Sequence, residues 1–299
     1  MYTEISFPSL GLTLNPPRNL EAGPLNIYFY GMIIAFGLVL AVVYACRRSK
    51  QFGLTEDDIL DGVLCIVPFA IICARLYYCI FSWDAYAAEP IKLLYIWEGG
   101  LAIYGGVIGA VIGIVVFSFV KKVKLGAVLD IVALGFLIGQ AIGRWGNFFN
   151  REAYGAVTDS FLRMGLMLTE NRHSTASMIY YHPTFFYESM WNLVGFIALH
   201  FLSKKRQYDG QIALGYAAWY GLGRTMIEGL RTDSLYIFKE QFGEVLRVSQ
   251  LLAAVSCLAA TTVLVIMIFK KHDPQKLFVN RVAAKEALEN EDTEQEETE

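Results

Sequence analysis

LGAVLDIVALGFLIGQAIGRWGNFFNREAYG, residues 125–155, opens as an apolar run and closes on Arg144, Asn147, Asn150, Arg151 and Glu152. Its first part, 126–144, reads as a membrane helix, because ~20 apolar residues rising ~1.5 Å each cross the ~30 Å hydrocarbon layer. A charge inside that layer costs at least ~2.5 kcal/mol, so the polar groups belong at the helix end and each needs a reason to be there.

Working outward, further spans lie near 25–46, 59–82, 101–120, 184–202, 210–230 and 247–269, which makes seven. The sixth is the weakest, since Arg224 and Glu228 interrupt it. Composition agrees: 55% of residues are hydrophobic and the mean hydropathy is +0.43, outside the usual soluble range. Basic clusters at Arg47/Arg48/Lys50, Lys121/Lys122/Lys124, Lys204/Lys205/Arg206 and Lys270/Lys271 occupy alternate connections. By the positive-inside rule those connections are cytoplasmic and the N-terminus is outside.

The expected fold is therefore an all-α polytopic membrane protein of seven transmembrane helices, with a cytoplasmic C-terminus and a small external cap between helices 4 and 5. It divides into an external N-terminal segment 1–24, a membrane domain 25–272 carrying the outer insert 145–183, and an acidic cytoplasmic tail 273–299. The formal net charge of −3 is misleading, because the last 14 residues hold eight of the 28 acids and leave 25 basic residues against 20 acids, a body of +5. The tail reads as a solvated end in which VNRVAAKEALEN, 279–290, suits a short helix. The N-terminus lacks the layout of a cleaved signal peptide, so the first span is expected to serve as the targeting signal.

Local signals mark individual elements. Thr55 and Asp58 have capping-box spacing at the start of the second span. Gly105, Gly109 and Gly113 in the third span, and Gly135, Gly139 and Gly143 in the fourth, have the small-xxx-small spacing of close helix contacts. Five cysteines (46, 65, 73, 79 and 257) lie in apolar segments as small core residues, without disulfide or metal spacing.

The intramembrane polar groups share one level. Arg75, Arg144 and Arg224 fall near the outer ends of their spans, as do Tyr30, Tyr104, Glu228 and Arg231. Tyr220, Arg224 and Glu228 form one helical stripe, and Gln140, Arg144 and Asn147 another. Simpler readings exist for each: Arg144 as a snorkelling end residue, Arg224 with Glu228 as an intrahelical pair partnered by Arg75, Tyr30 and Tyr104 as aromatic-belt residues. Together, however, they leave arginine in excess over acid at one depth, and guanidinium forks at headgroup level suit a lipid phosphate. A transporter for an anionic substrate is the rival, weakened by a polar belt confined to one side. A non-enzymatic lipid-binding scaffold leaves the clustered Asn and Glu unexplained.

GRWGNFFNREAYG resembles the signature of the prolipoprotein diacylglyceryl transferase family through Gly143, Arg144, Gly146, Asn147, Phe148, Asn150, Glu152 and Gly155. Supporting matches are Tyr30-Gly31, Ala74-Arg75-Leu76, Gly99-Gly100, Tyr104-Gly105-Gly106, His182, Pro183, Tyr187 and Glu188 in HPTFFYES, and Tyr220, Gly221, Arg224, Glu228 and Arg231 in YGLGRTMIEGLR. The resemblance implies a multi-pass enzyme of the bacterial plasma membrane that moves the diacylglyceryl group of phosphatidylglycerol to the lipobox cysteine thiol of a prolipoprotein, releasing glycerol 1-phosphate. It implies catalytic roles for Arg144, Asn147, Glu152, Arg224, Glu228 and Tyr104, and lipid binding by Arg144, Arg224, Tyr30, Asn147, Arg75, Tyr220 and Gly155. Tyr104 stands where many members have histidine and resembles Gram-positive members, so the thiol base stays open among Glu152, Glu228 and Tyr104. His182 is expected to shape its turn, with His173 the other outer-side histidine. No cofactor, metal or nucleic-acid partner is expected, for no ligand-spaced cluster or nucleotide-binding glycine loop occurs.

Overall fold

The computed structural model describes residues 2–22, 25–87, 89–96, 99–168, 178–232 and 247–296. Each expected span contains a helix: α1 (Phe29–Arg48), α2 (Glu56–Phe81), α3 (Ile103–Val120), α4 (Leu125–Asn150), α5 (Thr184–Ser203), α6 (Gln211–Glu228) and α7 (Val248–Ile268). Among the described residues α1, α2, α3, α4 and α7 are long and apolar enough to cross a membrane. In α5 and α6 polar residues such as Glu188, Asn192, Gln211, Arg224 and Glu228 dilute the apolar sequence. The protein is thus a mostly helical membrane protein, with five helices of spanning character among the described residues.

The chain forms two compact units. The first comprises Met1–Ala41, Ala133–Lys205 and Ile212–Lys271. Beside its helices it contains strands, which a purely helical expectation did not include. Strands β1 (Tyr2–Phe7), β2 (Leu12–Leu14), β5 (Met164–Leu168) and β6 (Ile179–Tyr181) form an antiparallel sheet in the order β2-β1-β5-β6. Ile5 pairs with Leu14 on one side and Leu166 on the other. Strands β3 (Asn19–Ala22) and β4 (Leu25–Tyr28) pair as well, so α1 begins later than the apolar pattern indicated, at Phe29. The N-terminal segment and the outer insert, separate in the sequence, are therefore one layer. Ile5, Met164 and Leu166 bury their side chains against Phe148 at the end of α4 and Phe185 at the start of α5. That apolar plug seats the sheet on the two helices carrying the signature and the HPTFFYES stretch.

In the same unit α4 continues past Arg144 to Asn150, so GRWGNFFN is helical and the helix outruns its expected end. Its end is tied down from the N-terminal segment. Arg18 donates to the Asn150 carbonyl at 3.0 Å, and Arg151 donates to Pro16 O at 2.6 Å and Asn15 Oδ1 at 3.1 Å. Burial, then the neighbouring charge of Arg18, holds Arg151 below the usual guanidinium value. Arg151 and Ala153 both have positive φ, 54° and 56°, and reverse the chain immediately after the helix.

The second unit comprises Val42–Val132, Arg206–Gln211 and His272–Glu299. The capping box of α2 is formed, with Thr55 N–H to Asp58 Oδ2 at 2.9 Å and Asp58 N–H to Thr55 Oγ1 at 3.0 Å. Helices α2 and α3 meet through the first glycine series: a Cβ on Gly105 or Gly109 would overlap the Cys73 or Phe69 carbonyl, and one on Gly113 would stand 2.9 Å from the Ile66 Cα. In the first unit the second series is looser. Gly143 would meet only Ile34 Cδ1, at 3.0 Å, while Gly139 has open space.

The acidic tail is a helix, α8 (Phe278–Glu296), and its start is fixed within the second unit. Asp209 Oδ2 accepts from the Phe278 N–H at 2.9 Å, Lys124 pairs with Asp209 at 2.9 Å, and Lys124 also donates to the Lys276 carbonyl at 3.2 Å. Gly53, at φ 74°, leaves room for Val279, whose Cα would stand 2.8 Å from a Cβ there. The tail's composition signalled solvation, and its residues are largely exposed, but the anchor at its first turn is tertiary. The five cysteines are free.

Candidate active site

Glu188 lies in the first turns of α5, preceded by the His182-Pro183 turn. The backbone shapes that turn: the His182 carbonyl accepts from Gly155 N–H at 2.9 Å and Thr184 N–H at 2.9 Å, while its own N–H donates to Ala156 O at 3.1 Å. The His182 ring faces Tyr187, with Nδ1 3.3 Å from the phenol oxygen. His173 lies outside the described residues.

A buried carboxylate this near an apolar helix needs cations, and three converge on it. Arg144 Nη2 from α4 stands 2.6 Å from Glu188 Oε2, and Arg224 Nη1 from α6 is 3.0 and 3.2 Å from its two oxygens. Arg231 Nη1 lies 3.7 Å from Oε1. Glu228 adds a second carboxylate, with Oε2 2.6 Å from Arg224 Nη2 and 3.9 Å from Arg231 Nε. Arg247 donates to the Glu228 backbone carbonyl.

Three guanidinium groups carry about fifteen N–H donors, against about eight lone-pair sites on two carboxylates. Among the described residues the cluster thus sets three guanidinium groups against two carboxylates, one net positive charge without counting Arg247. Side-chain exposure is graded: 21% for Arg144, 15% for Arg224, 12% for Arg231, 5% for Glu188 and 2% for Glu228. The acids are the buried framework and Arg144 is the most open cation. Glu188 was legible in the sequence only as part of the HPTFFYES match. The signal for its role was the isolated acid in an apolar segment, which requires a partner.

One turn past Arg144, Asn147 Nδ2 donates to Glu152 Oε1 at 3.0 Å, and Asn150 Nδ2 donates to the same oxygen at 3.2 Å. Glu152 is exposed. The Tyr30 ring lies over Gly146, where a Cβ would stand 2.7 Å from Cδ2; only glycine allows α1 and α4 this contact beside Arg144. Gly155 bridges to Arg231, and its Cβ would meet Leu230 O at 2.9 Å and His182 Cβ at 2.7 Å. Close backbone approach at Gly155 thus brings the end of the signature to the end of α6. Tyr220 stacks on Tyr216 at 5.6 Å, and Tyr216 accepts from Gln140 Nε2 at 2.9 Å, so the stripes of α4 and α6 face each other below the ion cluster.

The remaining two expected residues belong to the second unit. Arg75 is buried on α2, and backbone carbonyls engage its guanidinium: Leu93 at 2.9 Å, Lys92 at 2.6 Å, Gly99 at 2.7 Å and Gly100 at 3.1 Å. Gly99 and Gly100, at φ 90° and 71°, turn the chain so that both carbonyls reach it. Tyr104 sits half-buried in the first turn of α3, shortly after that turn. Arg75 thus organises the loop that leads into Tyr104.

Comparison with known proteins gives this geometry a family. Residues 17–266 match the family described as prolipoprotein diacylglyceryl transferase. A phosphatidylglycerol–prolipoprotein diacylglyceryl transferase of Oceanobacillus iheyensis is 49% identical over 225 residues, 73% of this chain and 78% of that protein. Proteins of the same name from Enterococcus faecalis and Bacillus velezensis are 42% and 41% identical over 268 and 270 residues, covering 88% and 87% of this chain and 93% and 94% of theirs. The signature on α4, the arginines around Glu188 and the match over most of the chain agree: this chain belongs to the prolipoprotein diacylglyceryl transferase family.

Proposed function

We propose that this chain transfers the diacylglyceryl group of phosphatidylglycerol to the lipobox cysteine of a prolipoprotein, in a bacterial plasma membrane that α1 to α7 cross seven times with the N-terminus outside. The observation that carries the reading is the convergence of Arg144, Arg224 and Arg231 on Glu188, beside the Asn147–Glu152 pair of the signature. The family is one of transferases, and the cluster's one-sided anion chemistry gives the transporter reading no support.

In the reaction the cysteine sulfur attacks the glyceryl carbon bonded to the phosphate oxygen. A C–S bond forms, the C–O bond breaks, and glycerol 1-phosphate leaves with one more negative charge than the diester carried. Arg144, the most open guanidinium, binds the phosphate; Arg224 binds from the α6 side and tightens as charge develops, because donors aimed at a growing anion stabilise the transition state more than the ground state. Glu188 and Glu228 hold the forks in place. Asn147 orients Glu152, and Tyr30, Tyr220 and Gly155 shape the surroundings.

The thiol, with a free pKa of ~8.5, must lose its proton before attack. Of the two carboxylate candidates, Glu228 has its Oε2 beside two guanidinium groups, whereas Glu152 is open to solvent and held by two neutral amides. Glu152 takes the proton, and the positive cluster favours the thiolate. The test is reconstitution into vesicles with labelled phosphatidylglycerol and a lipobox-cysteine peptide. Label appears covalently on the peptide and glycerol 1-phosphate is released; uptake of label with no peptide product would refute the reading.

A further inference from the structure

Helices α5 and α6 carry the same short pattern, Trp-xxx-Gly, as WNLVG at 191–195 and WYGLG at 219–223. In the fold the patterns interlock. Trp191 Nε1 donates to the Trp219 carbonyl at 2.9 Å, and Trp219 Nε1 donates to the Trp191 carbonyl at 2.9 Å. The indoles stack with centroids 4.4 Å apart and planes 18° from parallel. Each ring occupies the notch left by the other helix's glycine: a Cβ on Gly195 would overlap the Trp219 indole, and one on Gly223 the Trp191 indole. Leu199 packs over Gly215 further along, so the helices run antiparallel.

Such reciprocity fixes register. Sliding one helix along the other by a residue breaks both N–H bonds and drives a ring into a backbone, and an indole N–H without an acceptor in an apolar setting is costly. About one turn from Trp191 toward the start of α5 stands Glu188; one residue past Gly223 on α6 stands Arg224. On the other flank of α5, Trp145 Nε1 donates to Ser189 Oγ at 3.2 Å and Ser189 Oγ to the Ala141 carbonyl at 2.7 Å, which ties Glu188's neighbour to α4.

We infer that Trp191 and Trp219, seated in the notches of Gly223 and Gly195, are positioning residues for diacylglyceryl transfer: their clamp sets the α5–α6 register that holds Glu188 between Arg144 and Arg224. The inference rests on the transferase reading and adds to it residues that act through Glu188 and Arg224.

The test is a double-mutant cycle in the vesicle transfer assay, because residues acting through one shared contact are non-additive and independent ones multiply. Trp191→Phe keeps an aromatic ring and loses the donor; it lowers kcat about tenfold, as expected for one lost hydrogen bond. In a Glu188→Gln background the same change costs less than about twofold, since the contact it positions is already gone. With Tyr104→Phe, in the other unit, the effects multiply. Equal fold-losses with and without Glu188→Gln would overturn the clamp. Should Trp191→Phe fail to accumulate in the membrane, the cycle runs with Trp219→Phe, and Trp219→His, which keeps an N–H donor, recovers part of the lost rate; no recovery together with multiplicative effects overturns the inference. Transfer by the wild-type protein in the same vesicles separates failure of the clamp from failure of the transferase reading.

Discussion

Arg144 and Glu188 illustrate opposite ways in which one residue contributes to the site. Arg144 is the cation with most solvent access, yet its Nη2 lies 2.6 Å from a nearly buried carboxylate, so one edge of the fork is anchored and the rest is available to an anion. Arg144→Ala should lower transfer by about 10²- to 10³-fold, the range for loss of one preorganised donor to a developing anion, while the protein still inserts. Arg144→Lys should recover little, because a single ammonium cannot grip Glu188 and a phosphate as a planar fork does. Label transfer by the purified variants checks both. Glu188→Leu removes the carboxylate that Arg144 pairs with and leaves Arg224 and Arg231 with Glu228 but without this second acid, in a largely buried place, and should destabilise the protein by about 3 kcal/mol, read as a lower Tm in detergent. For the proton, Glu152→Gln should reduce turnover strongly, whereas Tyr104→Phe should keep turnover within about threefold across pH, short of the ~10²-fold a lost general base costs. A collapse in Tyr104→Phe with Glu152→Gln active would reverse the assignment.

At the scale of elements, the two glycine series have the same spacing and different consequences. Gly105 and Gly109 leave no room for a side chain between α2 and α3, whereas Gly139 faces open space. Gly109→Leu should therefore cost about 1–3 kcal/mol or more through overpacking, and Gly139→Ala little or nothing, a contrast that thermal unfolding of the two variants measures directly. The sheet adds a further element that periodicity did not show. Strand β1 has its partners at Leu12–Leu14 and Met164–Leu168, and its Ile5 plugs the space over Phe148 and Phe185. The N-terminal residues thereby brace the end of the signature helix, together with the Arg18 and Arg151 bonds.

For the molecule as a whole, the decisive quantity is the sign of charge on each side of the membrane. On the proposed topology the alternating basic clusters place the tail helix α8 on the cytoplasmic side. A membrane-impermeant amine reagent should label Lys285 in intact cells only after permeabilisation, and labelling before it would invert the topology. On the proposed mechanism, in which arginines meet the leaving phosphate, transfer should persist in excess EDTA. Loss of activity on chelation, restored by a divalent cation, would transfer that role to a metal.

Hydropathy and local spacing established the seven helical segments, the Thr55–Asp58 cap, the stripes on α4 and α6 and the arginine excess, since each depends on residues a few positions apart or on the cost of placing charge in hydrocarbon. The signature motif established the family for the same reason: it is one contiguous stretch. Only the tertiary structure decided that Glu188 gathers Arg144, Arg224 and Arg231, that carbonyls from residues 92–100 engage Arg75, and that the first strand pairs with the fifth. Those outcomes depend on which donors and acceptors meet across long separations in the chain. A buried charge announces that it needs a partner, but a sequence does not say which partner the folded chain brings to it.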